Sequence, residues 1–262
     1  VISVDIVVCV KTNPDLQMIR IKNREPVLEA VPYKVGDLDK NALEAAVQLR
    51  DAVGGKVVAV TVSEGNRKVR ETMKEALAIG ADEAVIVSDA ALDEADQAGV
   101  AQALAKAIEK KGHFDLLLFG EGSTDGYSGQ VGPRVAELLG VAEIGYARKI
   151  EVAGTTVRAE RSMGDEIEVL EASMPVAVTV VSEINEPRIP SLMNIMKAGK
   201  KPVDEWSLAD LGLDVAAVGR TTSISSNLAE EQDRKHVIFE GEPAEQAEQL
   251  INALLNEGVL GR

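Results

Sequence analysis

The chain is short of cysteine, histidine and positive charge. Its single cysteine, Cys9, has no partner for an internal disulfide, and it lies in the apolar run DIVVCV. That is the ordinary setting of a small buried thiol, and it fits a reducing compartment. Two histidines, His113 and His236, exclude a clustered His/Cys zinc site, so no metal site is expected. A Ser-His-Asp triad would have to use one of them. His113 stands just before a strand start and His236 beyond a polar stretch near the C-terminus, neither of them the setting of a catalytic centre. No catalytic side chain is assigned, and any chemistry falls to a cofactor. Lysine and arginine number 28 against 43 aspartates and glutamates, a formal net charge of −15. Such a chain lacks the basic footprint of a nucleic-acid binder and of a polybasic membrane surface. The acidity means solubility. No run approaches the roughly 18 apolar residues of a membrane span, so no membrane insertion is expected. The opening residues read directly as a strand, without a basic signal-like segment. The expectation is a soluble, cytoplasmic protein.

What is there is apolar sequence in an alternating rhythm. The chain has 262 residues, 45% of them hydrophobic, enough for one core with an appendage or for two small domains. Apolar strands are expected at Asp5–Val10, Lys56–Val62, Ala84–Val87 and Phe114–Phe119. Between them, helical spacing runs over Lys40–Asp51, Arg67–Ile79, Ala98–Lys111 and Gly129–Leu139, with Gly80 and Gly112 as stops. This order predicts an α/β fold, a mostly parallel sheet with helices on both faces. From Lys149 the pattern alternates around turns at Gly154 and Gly164, predicting antiparallel additions, and Met174–Val181 is another buried strand. Asn185–Pro202 is rich in Pro and Lys yet studded with Leu192, Met193, Ile195 and Met196. After a polar, linker-like stretch from Ala216 to Lys235, a last helix puts Ala247, Leu250, Ile251, Leu254 and Leu255 on one stripe. It either docks back on the core or grips another subunit.

The stretch FGEGSTDGYSGQVGP, Phe119–Pro133, has five glycines in fifteen residues between a strand and a helix. In a parallel sheet, ligands bind beyond the carboxyl ends of strands, and backbone N–H groups at a helix start favour phosphate. The loop is not a Walker motif, because no Gly-Lys-Ser/Thr follows. Asp125 stands where a dinucleotide fingerprint needs its third glycine, and the loop follows the fourth parallel strand rather than the first. A phosphate site is favoured over a loop that is merely tight. The residues alone lead to a nucleotide-binding α/β protein.

Four segments together resemble the β subunit of electron transfer flavoproteins: VVCVKTNPDLQMIRI, LDKNALEAAVQLRD, FGEGSTDGYSGQVGPRVAELLG and NEPRIPSLMNIMKAGKKP. DEWSLADLGL is also similar, so the match runs to about Leu213. The loop GEGSTDGYSGQVGP is most similar to the FixA-type, electron-bifurcating group. The resemblance implies an adenine-nucleotide α-hydrolase-like fold with antiparallel additions and an extended C-terminal arm. It divides the chain into a nucleotide-binding domain over residues 1–184, a partner-recognition loop over 185–202, and an arm with a tail helix over 203–262 contacting an α subunit. By position it implies a nucleotide site at Cys9, at Gly36, Asp37, Leu38 and Asp39 before the first helix, at Glu64, and along Gly120, Glu121, Gly122, Ser123, Thr124, Asp125, Gly126, Tyr127, Ser128, Gly129, Gln130 and Val131. One departure is that many relatives carry Asn-Pro where this chain has Gly36-Asp37. Leu192, Ile195 and Met196 fall in the partner-binding segment, with Leu192 as anchor. The implied cofactor is FAD, reduced by NADH, with a further FAD in the α subunit. The alternative is AMP as a structural ligand. Implied partners beyond the α subunit are a FixC-like quinone reductase and FixX-like ferredoxin, or an acyl-CoA dehydrogenase.

Overall fold

The computed structural model of the chain describes residues 3–65, 67–93, 95–223, 225–230 and 235–260. Its first strand, β1 (Ile6–Cys9), leads into β2 (Thr12–Pro14), β3 (Arg20–Lys22), β4 (Glu25–Val27) and β5 (Tyr33–Val35). These four are short: β2 pairs with β5 and β3 with β4, both antiparallel. Then come α1 (Asp37–Val53), β6 (Val57–Ser63), α2 (Arg67–Ile79), β7 (Glu83–Ser88), α3 (Gln97–Lys111), β8 (Leu116–Gly120) and α4 (Val131–Leu139). The expected elements all form, with ends shifted by a few residues. The larger shift is at α1, which starts at Asp37 rather than Lys40. Gly36–Asp39 is therefore the cap and first turn of the helix, not a stretch before it. Two carboxylates there, Asp37 and Asp39, suit the positive end of the helix dipole.

The second half adds β9 (Ala142–Ala153), β10 (Thr156–Ser162), β11 (Ile167–Ser173), β12 (Val176–Val180), α5 (Leu192–Ala198), β13 (Val203–Trp206) and α6 (Pro243–Asn256). One nine-stranded sheet results, in the order β11-β10-β9-β12-β8-β1-β6-β7-β13. It is parallel from β9 to β13, and only β10 and β11 are antiparallel, as the alternation after Lys149 predicts. Segment 185–202, expected as a partner-recognition loop, contains α5. Ser191 caps that helix by accepting the Asn194 N–H. Part of the polar stretch Ala216–Lys235 lies outside the described residues.

Alternation along each central strand divides the core in two. Ile6, Val8, Leu116 and Leu118 pack with Leu43 of α1 and Met73 and Leu77 of α2. Val7, Cys9, Leu117 and Phe119 pack on the opposite face with Leu104 and Ile108 of α3 and Val135 of α4. Leu116, Leu117 and Leu118 are all fully buried, each worth about 1.5–3 kcal/mol of apolar transfer. Connectivity then locates the cleft. The crossovers through α1 and α2 carry the chain from β1 toward the β7 side, and α3 returns it to β8 on the other flank of β1. The strand order thus reverses between β1 and β8, where a parallel sheet leaves a crevice beyond its carboxyl ends.

Candidate functional site

A cavity of about 470 Å³ lies at that crevice. Its floor comes from the ends of β1 (Cys9, Val10, Lys11), β6 (Val62) and β8 (Phe119, Gly120). One wall is the β8–α4 loop, through Gly122, Ser123, Asp125, Gly126, Ser128 and Val131. The facing wall is the approach to α3, through Leu92, Asp93, Ala95, Asp96 and Gln97. The starts of α1, α3 and α4 therefore all lie at one cleft. Helix starts favour negative charge.

Asp39 pins the floor. It is buried, and its Oδ2 accepts the Lys11 N–H at 2.8 Å. The Gly120 N–H also donates to its carboxylate. One side chain of α1 thereby ties together the ends of β1 and β8, the two strands of the switch point. Burial pushes the Asp39 carboxyl up to about 7, against the lowering effect of those N–H groups and of the Lys11 charge. Burial, with the Asp39 charge second, also pushes the Cys9 thiol far up, so Cys9 is a neutral wall residue rather than a nucleophile. Gly36 and Gly120 make room for the pin. A Cβ on Gly36 would lie 2.8 Å from Asp39 Oδ2, and one on Gly120 would lie 2.8 Å from Leu38 Cβ and 2.9 Å from Asp39 Oδ1.

At the rim, Lys11 Nζ reaches both oxygens of Asp125, at 2.8 and 2.7 Å. Partial burial alone would raise the Asp125 carboxyl. Lys11, the Ser123 hydroxyl and the Gly126 N–H outweigh it and hold it below the usual range. Tyr127 folds over the loop, where a Cβ on Gly122 would meet its ring at 3.0 Å. Its hydroxyl donates to Glu121 Oε1 at 2.6 Å, and that bond is the chief reason its phenol is pushed up to about 12.

Opposite, Asp96 caps α3, accepting the Ala98 and Gly99 N–H groups on Oδ1 at 3.0 and 3.2 Å. Its Oδ2 accepts the Thr221 hydroxyl at 2.6 Å and the Thr221 N–H at 2.8 Å. These bonds, the Thr221 hydroxyl first, hold its carboxyl well below the usual range. The C-terminal arm thus closes over the first turn of α3. A Cβ on Gly99 would lie 2.3 Å from the Val218 carbonyl oxygen.

Of the residues expected from the sequence, Cys9, Asp39, Gly120, Gly122, Ser123, Asp125, Gly126, Ser128 and Val131 share this wall. Gly36, Asp37 and Leu38 stand behind Asp39, in the cap and first turn of α1. Glu121, Thr124, Tyr127, Gly129 and Gln130 belong to the same loop without lining the cavity, and Glu64 is exposed at the end of β6, off the wall. Sequence reasoning missed Lys11 and Asp96. Lys11 directly follows the first strand, and Asp96 precedes QAG as a helix cap, so both carried a local signal. Leu192, Ile195 and Met196 lie together on α5 and are exposed, Leu192 by 83%.

One detail bears on whether a nucleotide fits. A Cβ on Gly126 would meet nothing closer than Ser123 Oγ at 3.8 Å. Nothing within the fold crowds a side chain at Gly126, so open space lies beside the backbone there.

Known proteins bear the same stamp. Residues 27–211 match the family described as the electron transfer flavoprotein domain. The electron transfer flavoprotein subunit beta of Thermoanaerobacterium thermosaccharolyticum is 36% identical over 262 residues, covering 98% of this chain and 100% of that relative. The subunit of the same name from Bacillus subtilis is 39% identical over 230 residues, covering 87% of this chain and 88% of the relative. The chain belongs to the β-subunit family of electron transfer flavoproteins.

Proposed function

We propose that the cavity between β1, β8 and the starts of α3 and α4 holds FAD, which accepts hydride from NADH for electron bifurcation with an α subunit carrying a further FAD. The observation that supports this most is the cradle at the switch point. Gly122 and Gly126 leave bare backbone on the cavity wall just before α4, where a pyrophosphate needs close amides, and Gly129 takes the left-handed turn that leads into the helix. Bound there, FAD would supply the hydride-accepting and electron-transfer chemistry and would need little acid–base help from side chains. The residues of this chain bind and orient it. Lys11 is the cation of the wall, and release from Asp125 lets it neutralise phosphate. Both oxygens of Asp96 are already occupied, so Asp96 shapes the cleft rather than binding ligand.

A second reading is AMP as a structural ligand, with the only flavin in the α subunit. The cavity volume favours it, because 470 Å³ lies low in the range of small-molecule sites. Denaturing the purified heterodimer and counting the released flavin and AMP separates the two. Two flavins per heterodimer, with bleaching by NADH, support the first. One flavin with AMP, and no reduction by NADH, leaves only the second.

The heterodimer itself is part of the proposal. α6 has no buried residue, and Leu250, Ile251 and Leu255 are each about half exposed. Such a stripe needs a covering surface, and the α subunit is its proposed occupant. α5 is assigned to the onward acceptor, a quinone reductase acting with a ferredoxin-type carrier, or an acyl-CoA dehydrogenase in the AMP reading. Leu192 is its anchor, and Lys197 and Lys200 flank it on a chain otherwise strongly acidic. That arrangement suits an apolar pocket rimmed by carboxylates.

A further inference from the structure

The segment 185–201 is held at both ends by part-buried polar contacts. At its start, Asn41 Nδ2 donates to the Asn185 carbonyl at 2.8 Å, and Asn185 Nδ2 donates back to the Asn41 carbonyl at 3.0 Å. One turn along α1, Glu44 takes a two-pronged contact from Arg188, Nε to Oε2 at 2.6 Å and Nη2 to Oε1 at 3.0 Å. The Arg188 N–H and the Gln48 side chain also donate to Glu44. The Glu44 side chain is only 4% exposed. At the far end, Lys201 Nζ donates to the Leu77 and Ala81 carbonyls at the end of α2. Between the two ends, Ala198 seats α5 in the core. Ile189, Leu192 and Met196 stand in solvent, 92%, 83% and 77% exposed.

The arrangement is opposite to what stability alone selects. A buried ion pair adds little net stability over apolar packing, and its best-attested use is to specify one arrangement. Here the α1 side chains Asn41 and Glu44 are taken out of water, with Arg188 reaching in from the surface, 38% exposed, while the large apolar side chains of the segment are left in solvent. A surface that is already rigid loses less entropy on binding, so more of its contact energy appears as affinity.

We infer that Asn41, Glu44 and Lys201, with Asn185 and Arg188 as their counterparts, are positioning residues that set segment 185–201 in its docking conformation before any partner arrives. The inference rests on the docking role proposed for α5. α1 and α2 are the rigid supports, and Glu44 with Arg188 is the central clamp.

The test uses the purified αβ complex with Arg188→Met, Arg188→Lys and Leu192→Ala. Hydrogen exchange at amides 192–198 is expected to quicken at least ~10-fold in Arg188→Met, because removing one partner leaves a buried charge unpaired. Exchange in α1 and the central strands stays unchanged, and Arg188→Lys restores part of the protection. Leu192→Ala leaves exchange unchanged. With the quinone reductase as the probe, the half-saturating concentration is expected to rise about 10-fold in both Arg188→Met and Leu192→Ala. Wild-type exchange at 192–198 in Arg188→Met overturns the clamp. Rapid exchange with unchanged half-saturation overturns the pre-set docking conformation, and if Leu192→Ala is also without effect, the docking role itself falls.

Discussion

Replacing Asp39 by Asn removes a buried charge while keeping the shape of the pin that joins β1 to β8. In the folded chain, burial raises the Asp39 carboxyl from the ordinary 3.8 to about 7. Between those values the folded state keeps a proton that the unfolded chain has already lost. The sign follows: Asp39 lowers stability progressively as pH rises from about 4 to about 7, and the penalty is constant above that. At 1.36 kcal/mol per tenfold change in proton affinity, the full penalty is about 4 kcal/mol. The Asn amide can accept from one of the two N–H groups, Lys11 or Gly120, but turns its own NH2 toward the other. That mismatch costs ~1–3 kcal/mol at every pH. At pH 5 about 1.7 kcal/mol of the penalty is already present, so the two should be close in stability. At pH 8 the variant should exceed the native chain, a relative swing of about 2–3 kcal/mol across the range. Urea unfolding of both proteins, nucleotide-free, at half-unit steps from pH 5 to 8 measures this directly. Lys11, Asp125 and the thiol of Cys9 face the same carboxylate and are shared by both proteins. A stability difference that stays flat across that range would refute the reasoning, because it would mean that Asp39 is not desolvated.

Other outcomes follow from the same geometry. Gly120→Ala should cost ~1–3 kcal/mol of stability and empty the cleft, because its Cβ would lie 2.8 Å from Leu38 Cβ; nucleotide content after gel filtration reads this, and full occupancy would contradict it. Leu192→Ala should weaken acceptor docking about tenfold, ~1.4 kcal/mol, with flavin content unchanged, checked by acceptor titration and absorbance. Deleting the residues after Lys235 removes α6 and should lower co-purification with the α subunit; an undiminished yield of heterodimer would count against a tail grip.

The sheet was legible from local pattern. Runs such as DIVVCV and KVVAVTV can only be central strands, because β-branched residues in unbroken apolar runs need burial on both faces. The helices between them carry their stops, Gly80 and Gly112, in the sequence. The Gly120–Val131 loop was legible too, because bare backbone between strand and helix has a specific use. α5 was harder to read, since Pro and Lys surround only seven residues and the capping hydroxyl of Ser191 decides the conformation.

Local sequence by itself determined which segments form strands and helices, their two-faced burial, and the glycine-rich loop after the fourth parallel strand. Each follows from periodicity and backbone chemistry within a dozen residues. Only the tertiary structure decided that β8 returns beside β1, that Asp39 of α1 binds both strand ends, and that Lys11 meets Asp125 across 114 positions of chain. It alone brought Thr221 of the arm onto Asp96, and Arg188 onto Glu44. The physical reason is common to all of these. A polar or charged side chain gains its partner from whichever segment the sheet order brings alongside it, and no local pattern along the chain encodes that neighbour.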